Sequence, residues 1–280
     1  MAAKPYREGL MPGAFKWIAG LTFLILLAPL FVVVLAGLNA GDHLTFPPEG
    51  LSFRWIVAFF QSESYLPAYL YSLVVALISM VISLVLGTAL SLFLVRSRIT
   101  GRFLMRAVLM SPIMLPGIVI GLALYLFYIS SGIGLARTQA GLVIGHVLVT
   151  IPYVIGLVSA SLVGFDRSLE EAARSLGAGP WTTFRKITLP IISPAMIAGA
   201  VFAFIVSFGQ FDVSLFLTPP NSTPLPIALY TSLRYTFEPT AAAAGIFAIF
   251  LVVVSMIITA KVTNLRRIAS ASLANQGGRP

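Results

Sequence analysis

A chain of 280 residues with 58% hydrophobic and 10% charged side chains has too few polar groups to cover a globular surface, because soluble domains run near ~25% charged. Most of it must face lipid. It contains no cysteine, which excludes disulfides and thiolate metal sites. Its formal net charge of +9 would point to nucleic acid only if the basic residues formed a patch on a soluble surface.

A membrane helix needs roughly 20 mainly apolar residues, and six stretches of the sequence qualify. The first runs from about Trp17 to Leu38 behind a basic lead of Lys4, Arg7 and Lys16. A cleaved signal peptide has such a lead, but its apolar core spans only about 7–15 residues. The longer run here reads as a retained helix. The others run from Leu66 to Val95, Phe103 to Ser130, Thr138 to Val163, Ile191 to Leu217 and Thr240 to Ala260. The expected fold is therefore all-α: one polytopic membrane domain over residues 1–280 with six transmembrane helices. Gly117-x-x-x-Gly121 and Gly141-x-x-x-Gly145 have the spacing that lets helices approach closely, within the chain or at a subunit interface. No internal repeat and no pair of broken helices is evident.

The basic residues decide orientation. Lys4, Arg7 and Lys16, the group Arg96, Arg98, Arg102 and Arg106, the group Arg167, Arg174, Arg185 and Lys186, and the tail residues Lys261, Arg266, Arg267 and Arg279 all fall on one side of a six-span chain. They are fifteen of the 18 Lys and Arg, leaving Arg54, Arg137 and Arg234 on the other. The excess marks the cytoplasmic side and puts both termini there. The charge thus reports topology, and no nucleic-acid partner is expected.

The loop between spans four and five, Asp166 to Pro190, is the informative one. Ser168 and Glu171 have the spacing of a capping box, so a helix is expected to start at Ser168. Glu170 and Glu171 fall in its first turn, where the helix dipole favours acids. Gly177 stands where a left-handed residue would end it. A helix of about two turns is unstable alone in water and needs a partner surface, which the small side chains of Ala172 and Ala173 would admit. Gly179-Pro180 opens a second helix, from which Trp181, Phe184 and Ile187 are expected to pack back on the membrane domain.

The pattern Glu171-Ala172-Ala173, then Gly177, then Ile187-x-Leu189-Pro190 resembles the EAA loop of ABC importer permeases with the type I fold. The resemblance extends from about span two to span six. It implies a coupling helix that docks on an ATP-binding cassette ATPase dimer, with Ser168, Glu170, Glu171, Ala172, Ala173 and Gly177 as the docking element. It further implies a second permease subunit, a periplasmic or lipid-anchored solute-binding protein, and a bacterial inner-membrane location. No G-x-x-x-x-G-K-[ST] stretch occurs, so this chain has no P-loop for phosphates. ATP and Mg are then expected on the partner, with no cofactor and no catalytic residue here.

Ser111-Pro-Ile-Met-Leu-Pro116, Phe208 to Phe216 and Leu225 to Tyr230, with Arg234 and Pro239, are similar to the second permease of spermidine/putrescine-type systems. Permeases for aminoalkylphosphonates, opines, ferric iron and thiamine are further relatives of that type. Asp212 is the sole acid in an expected span, and ionisable groups at membrane depth mark functional sites. Counted along a straight helix from Ile191 it lies about 30 Å on, near the outer mouth. It either draws a cationic solute, with Gln210 as a neighbouring contact, or anchors the turn through Ser214 or backbone. His146 is either a buried neutral side chain bonded to a neighbouring helix or a solute contact. One His without a nearby His, Cys or acid is no metal site. Tyr153 is either an interfacial anchor or lines the passage. An ATP-independent transporter or channel, or an intramembrane enzyme, would leave the EAA-like loop unexplained.

Overall fold

Small residues recur along the second span at spacings of three and four, and this pattern organises the centre of the molecule. The computed structural model describes the backbone of residues 13–43, 46–97, 99–236 and 238–276, and the side chains of those between 15 and 261. Lys4, Arg7, Arg98 and Arg279, and the side chains of Arg266 and Arg267, lie outside the described residues. Helices α1 (Gly13–Gly37), α2 (Arg54–Gln61) and α3 (Tyr65–Arg96) are followed by α4 (Arg102–Met114), α5 (Gly117–Ser130) and α6 (Gln139–Val163). Then come α7 (Ser168–Ser175), α8 (Pro180–Thr183), α9 (Leu189–Phe208), α10 (Asp212–Leu217), α11 (Leu225–Tyr235) and α12 (Pro239–Gln276). No strand occurs among the described residues, only an isolated bridge between Asn39 and Leu51.

On α3, Ser72, Ala76, Ser79, Ser83, Gly87 and Ser91 are all buried, and they let α6 and α9 approach closely. A Cβ on Gly87 would fall 2.8 Å from the Val154 Cβ, and one on Gly199 of α9 would fall 3.1 Å from the Val154 Cα. Val154 of α6 is thus wedged between two glycines and fully buried. Hydroxyls line the same seam: Ser83 Oγ lies 2.8 Å from Thr150 Oγ1, and Ser91 Oγ, which donates to the Gly87 carbonyl at 2.7 Å, lies 3.3 Å from the Ile155 carbonyl oxygen. Helices in lipid associate through such small-residue packing and interhelical hydrogen bonds, because tails are as apolar as the side chains.

Among the described residues five helices are long and apolar enough to cross a membrane, and the pair α4 and α5, bent by 108°, has the length and composition of a sixth, broken span or of a re-entrant loop. The unbroken span expected from Phe103 to Ser130 is therefore corrected. Pro116 is the cause. The residue before a proline is pushed out of the helical region, and Leu115 is extended at φ −89° and ψ 142°. The fifth span is also interrupted. It ends at Phe208 rather than Leu217, and α10 starts anew at Asp212. Two broken segments exist where none was expected, and they meet. Cβ atoms on Gly117 and Gly121 of α5 would fall 2.6 Å from Asp212 Oδ2 and 2.9 Å from the Phe216 ring. Gly145 of α6 receives Leu217 and Val213 of α10 in the same way, at 2.7 and 2.8 Å. Both glycine pairs serve packing within the chain.

At the other end of α9, the π-helical turn Phe184–Thr188 joins it to α8, making one rod of 29 residues from Pro180 to Phe208. Pro190 supplies no N–H to this part of the ladder, and the Leu189 N–H reaches the Phe184 carbonyl, the wider register of a π-turn. Helices α2 and α11, which lie between the expected spans, flank the bundle, where Phe59 of α2 stacks on Phe247 of α12 at 4.5 Å.

Candidate functional site

The loop from Asp166 to Pro190 builds α7 with a cap at each end. Ser168 is the first helical residue, and its N–H donates to Asp166 Oδ1 at 2.9 Å. The acid two residues earlier therefore caps the helix, and the expected capping box of Ser168 and Glu171 does not form. That N–H holds the Asp166 carboxyl below the usual carboxylate range. At the other end Gly177 takes φ +85°, a left-handed backbone that favours glycine. The Gly177 N–H donates to the Arg174 carbonyl at 2.9 Å and the Ala178 N–H to the Ala173 carbonyl at 3.0 Å. This pair of bonds is the Schellman arrangement, which satisfies the last carbonyls of a helix.

The two adjacent glutamates face opposite ways. Glu170 is buried, accepting from the Arg96 guanidinium at the end of α3 and from the Thr188 hydroxyl in the π-turn. Arg167 adds a bond to the Val95 carbonyl at 3.2 Å. These contacts fasten α7 to the ends of α3 and α9. Glu171, Ser168 and Ala172 are exposed, and Ala173 is half-buried. Around them stand Leu169, Leu176 and Trp181, exposed by 47%, 89% and 70%. Trp181 was expected to pack inward and does not. Its ring leans on Phe184 at 5.7 Å, and only Phe184 and Ile187 are half-buried. Three large apolar side chains thus stand open on a polar loop.

The helix breaks form the second candidate region. Asp212 opens α10 beside Gly117, the first residue of α5, so the positive end of the α5 dipole lies at this carboxylate. Among the described residues Asp212 makes no side-chain hydrogen bond and no ion pair. Ser214 is not its partner: that hydroxyl donates to the Gln210 carbonyl at 2.6 Å. Asp212 and Gln210 are half-buried. Asp212 lies about 9 Å of helix, at ~1.5 Å per residue, inward of Thr218, whose carbonyl accepts from Arg137.

His146 is 2% exposed. Its Nδ1 lies 2.8 Å from Ser207 Oγ and its Nε2 2.9 Å from Ser214 Oγ. Both nitrogens are engaged, and the ring ties α6 to α9 and α10, which matches the buried, helix-bonded alternative. Tyr153 stands about two turns away along α6, stacked on Phe202 at 6.4 Å with rings 3° from parallel. The structure thus gathers Asp212, Gln210 and, through Ser214, His146, and leaves Tyr153 apart. No group of His, Cys, Asp and Glu able to hold a metal occurs among the described residues.

Residues 83–267 match the family model of the binding-protein-dependent transport system inner membrane component. The putrescine transport system permease protein PotI of Escherichia coli is 36% identical over 126 residues, 44% of this chain and 45% of that protein. The spermidine/putrescine permease PotC is 34% identical over 140 residues, and the molybdenum permease ModB 34% over 152 residues, covering 52% and 65% of those proteins. The chain spans about half the length of the polyamine permeases it matches. A bacterial ABC transporter for the acidic polysaccharide alginate shares the fold at TM-score 0.65 and 19% identity, over 91% of this chain and 94% of that one. The MetNI methionine transporter follows at TM-score 0.57 and 17% identity, over 77% and 99%. The chain belongs to the binding-protein-dependent transport system inner membrane component family, the multi-pass permeases of ABC importers.

Proposed function

We propose that this permease admits a polyamine or related small cationic amine, and that α7 couples its movement to ATP hydrolysis on a separate cassette ATPase. The observation that carries the solute assignment is the unpartnered Asp212 carboxylate where the two broken helices meet. A carboxylate in a low-dielectric passage concentrates cations and pairs with an ammonium through a charge-assisted hydrogen bond. The polyamine permeases among the relatives fit such a site. A molybdenum transport permease is also among the relatives, at similar identity. Exposed Leu169, Leu176 and Trp181 around the capped α7 support docking of the ATPase. The full assembly would add a second permease subunit and a solute-binding protein, with ATP and Mg held by the ATPase.

The decisive comparison is ATP-driven uptake of labelled putrescine in proteoliposomes holding the complete importer, wild type against Asp212→Asn. Asparagine keeps the size and removes the charge. Uptake should fall about tenfold, the loss of one charge-assisted contact, with protein level and ATPase binding unchanged. Equal uptake by the variant would remove Asp212 from the pathway. Failure of the wild type to move any polyamine would remove the substrate class. The same reading sets both termini in the cytoplasm, from the fifteen basic residues on one side. A reporter fused after Pro280 should then give a cytoplasmic signal, and a periplasmic one would reject this topology.

A further inference from the structure

Between α3, α4 and α6, on the same side as the α7 loop, lies a cleft of about 270 Å³. Arg102 and Arg106, one turn apart on α4, line it together with Ser159 of α6. Neither arginine makes an ion pair or a side-chain hydrogen bond among the described residues. Ser159 is 2% exposed, and its hydroxyl has no partner. A helical serine ordinarily bonds back to the carbonyl four residues earlier. This one makes no such bond. A buried hydroxyl left unpaired is costly, and this one lines the same cleft as two unneutralised guanidiniums. Leu94, Val95 and Phe103 supply the apolar walls, and Phe103 stands 84% exposed at the rim.

We propose that this cleft binds the headgroup phosphate of an anionic phospholipid of the cytoplasmic leaflet. Arg102 and Arg106 take the phosphate oxygens, and Ser159 donates its hydroxyl to one of them. Guanidinium groups match phosphate geometry, and basic pockets between helices on the cytoplasmic side bind anionic headgroups. The apolar rim favours a lipid over free phosphate, since glycerol and the first acyl carbons would lie along Phe103 and Val95. Nothing in this site touches the helix breaks or the outer face of α7, so it stands apart from solute passage and from docking.

The test is native mass spectrometry of the purified full chain, released from detergent after titration with phosphatidylglycerol or phosphatidylcholine. Wild type should retain phosphatidylglycerol about thirtyfold better than phosphatidylcholine, the preference expected for two basic side chains near the surface. Arg102→Gln with Arg106→Gln should erase that preference. Ser159→Ala, which removes one hydroxyl and little volume, should lower retention severalfold at an unchanged melting temperature. Arg185→Gln with Lys186→Gln removes the same charge from the exposed α8–α9 turn and should leave retention intact. Equal loss in the two double variants would mean diffuse attraction and would overturn the site. Unchanged retention in both Arg102→Gln with Arg106→Gln and Ser159→Ala would do the same. Complete displacement of the lipid by millimolar inorganic phosphate would assign the cleft to the free ion and reject the lipid.

Discussion

Replacing Gly177 by proline should cut copurification of the ATPase subunit by more than about tenfold, which corresponds to at least ~1.4 kcal/mol of docking free energy. Proline fixes φ near about −65°, whereas Gly177 takes +85°. The substitution also removes the N–H that donates to the Arg174 carbonyl. The end of α7 would have to unwind, carrying Leu176 away from Leu169 and Trp181 and dispersing the docking face. Gly177→Ala is the graded control: an L-residue in the left-handed region costs about 1–2 kcal/mol, so association should weaken without vanishing. Glu171→Lys changes the exposed face and the first turn together. It places a cation in the first turn, where the dipole disfavours it, and should also weaken association. Normal copurification and uptake in both Gly177→Pro and Glu171→Lys would reject α7 as the coupling element, provided the permease is inserted at wild-type level.

The second large effect concerns the inner side of the same helix. Arg96→Leu should destabilise the protein by about 1–3 kcal/mol, because removing one partner of a buried pair leaves the other charge uncompensated. Glu170 would be left buried with the Thr188 hydroxyl as its remaining side-chain partner. The lower end of that range reflects the 34% exposure of the Arg96 side chain, which lets solvent screen the pair. Glu170→Gln should cost less, since an amide can still accept from both neighbours. A structural role would show only in the melting temperature. If the contact also transmits movement from α7 to α3 and α9, both variants should hydrolyse ATP normally while moving less solute per ATP. A double-mutant cycle on Arg96 and Glu170 should then show coupling in both stability and transport, as expected for residues in direct contact. Unaltered melting temperature and unaltered transport stoichiometry would show that the Arg96–Glu170 contact serves neither role.

Much of this architecture was legible because its signals are local. Runs of about 20 apolar residues mark membrane helices, and Gly177 marks a helix end, whatever surrounds them. The missed features depend on groups distant in the chain or on competition between neighbours. Glu170 and Glu171 look alike in sequence, and only Arg96, 74 positions away, separates the buried one from the exposed one. Ser168 lies inside the helix rather than at its cap, because the Arg167 carbonyl takes the Glu170 and Glu171 N–H groups and the Ser168 N–H turns to Asp166. Trp181 has the spacing of an inward-facing residue, and no periodicity argument can tell an inner apolar face from a docking face. The break at Leu115 was signalled by Pro116, yet proline is common in membrane helices. Whether it bends a span or is absorbed depends on neighbours such as α10. The position of Asp212 was derived from a straight helix, and the interruption between Phe208 and Asp212 invalidates that extrapolation.

Solute is expected to move through this permease only when an associated ATPase drives it. Initial uptake of labelled putrescine into proteoliposomes, with and without ATP and with the ATPase subunit omitted in turn, measures it most directly. Uptake should require ATP, the ATPase and the solute-binding protein together, and should vanish when any one is left out. Putrescine flux of the same rate through the permease alone would make the chain an ATP-independent transporter instead.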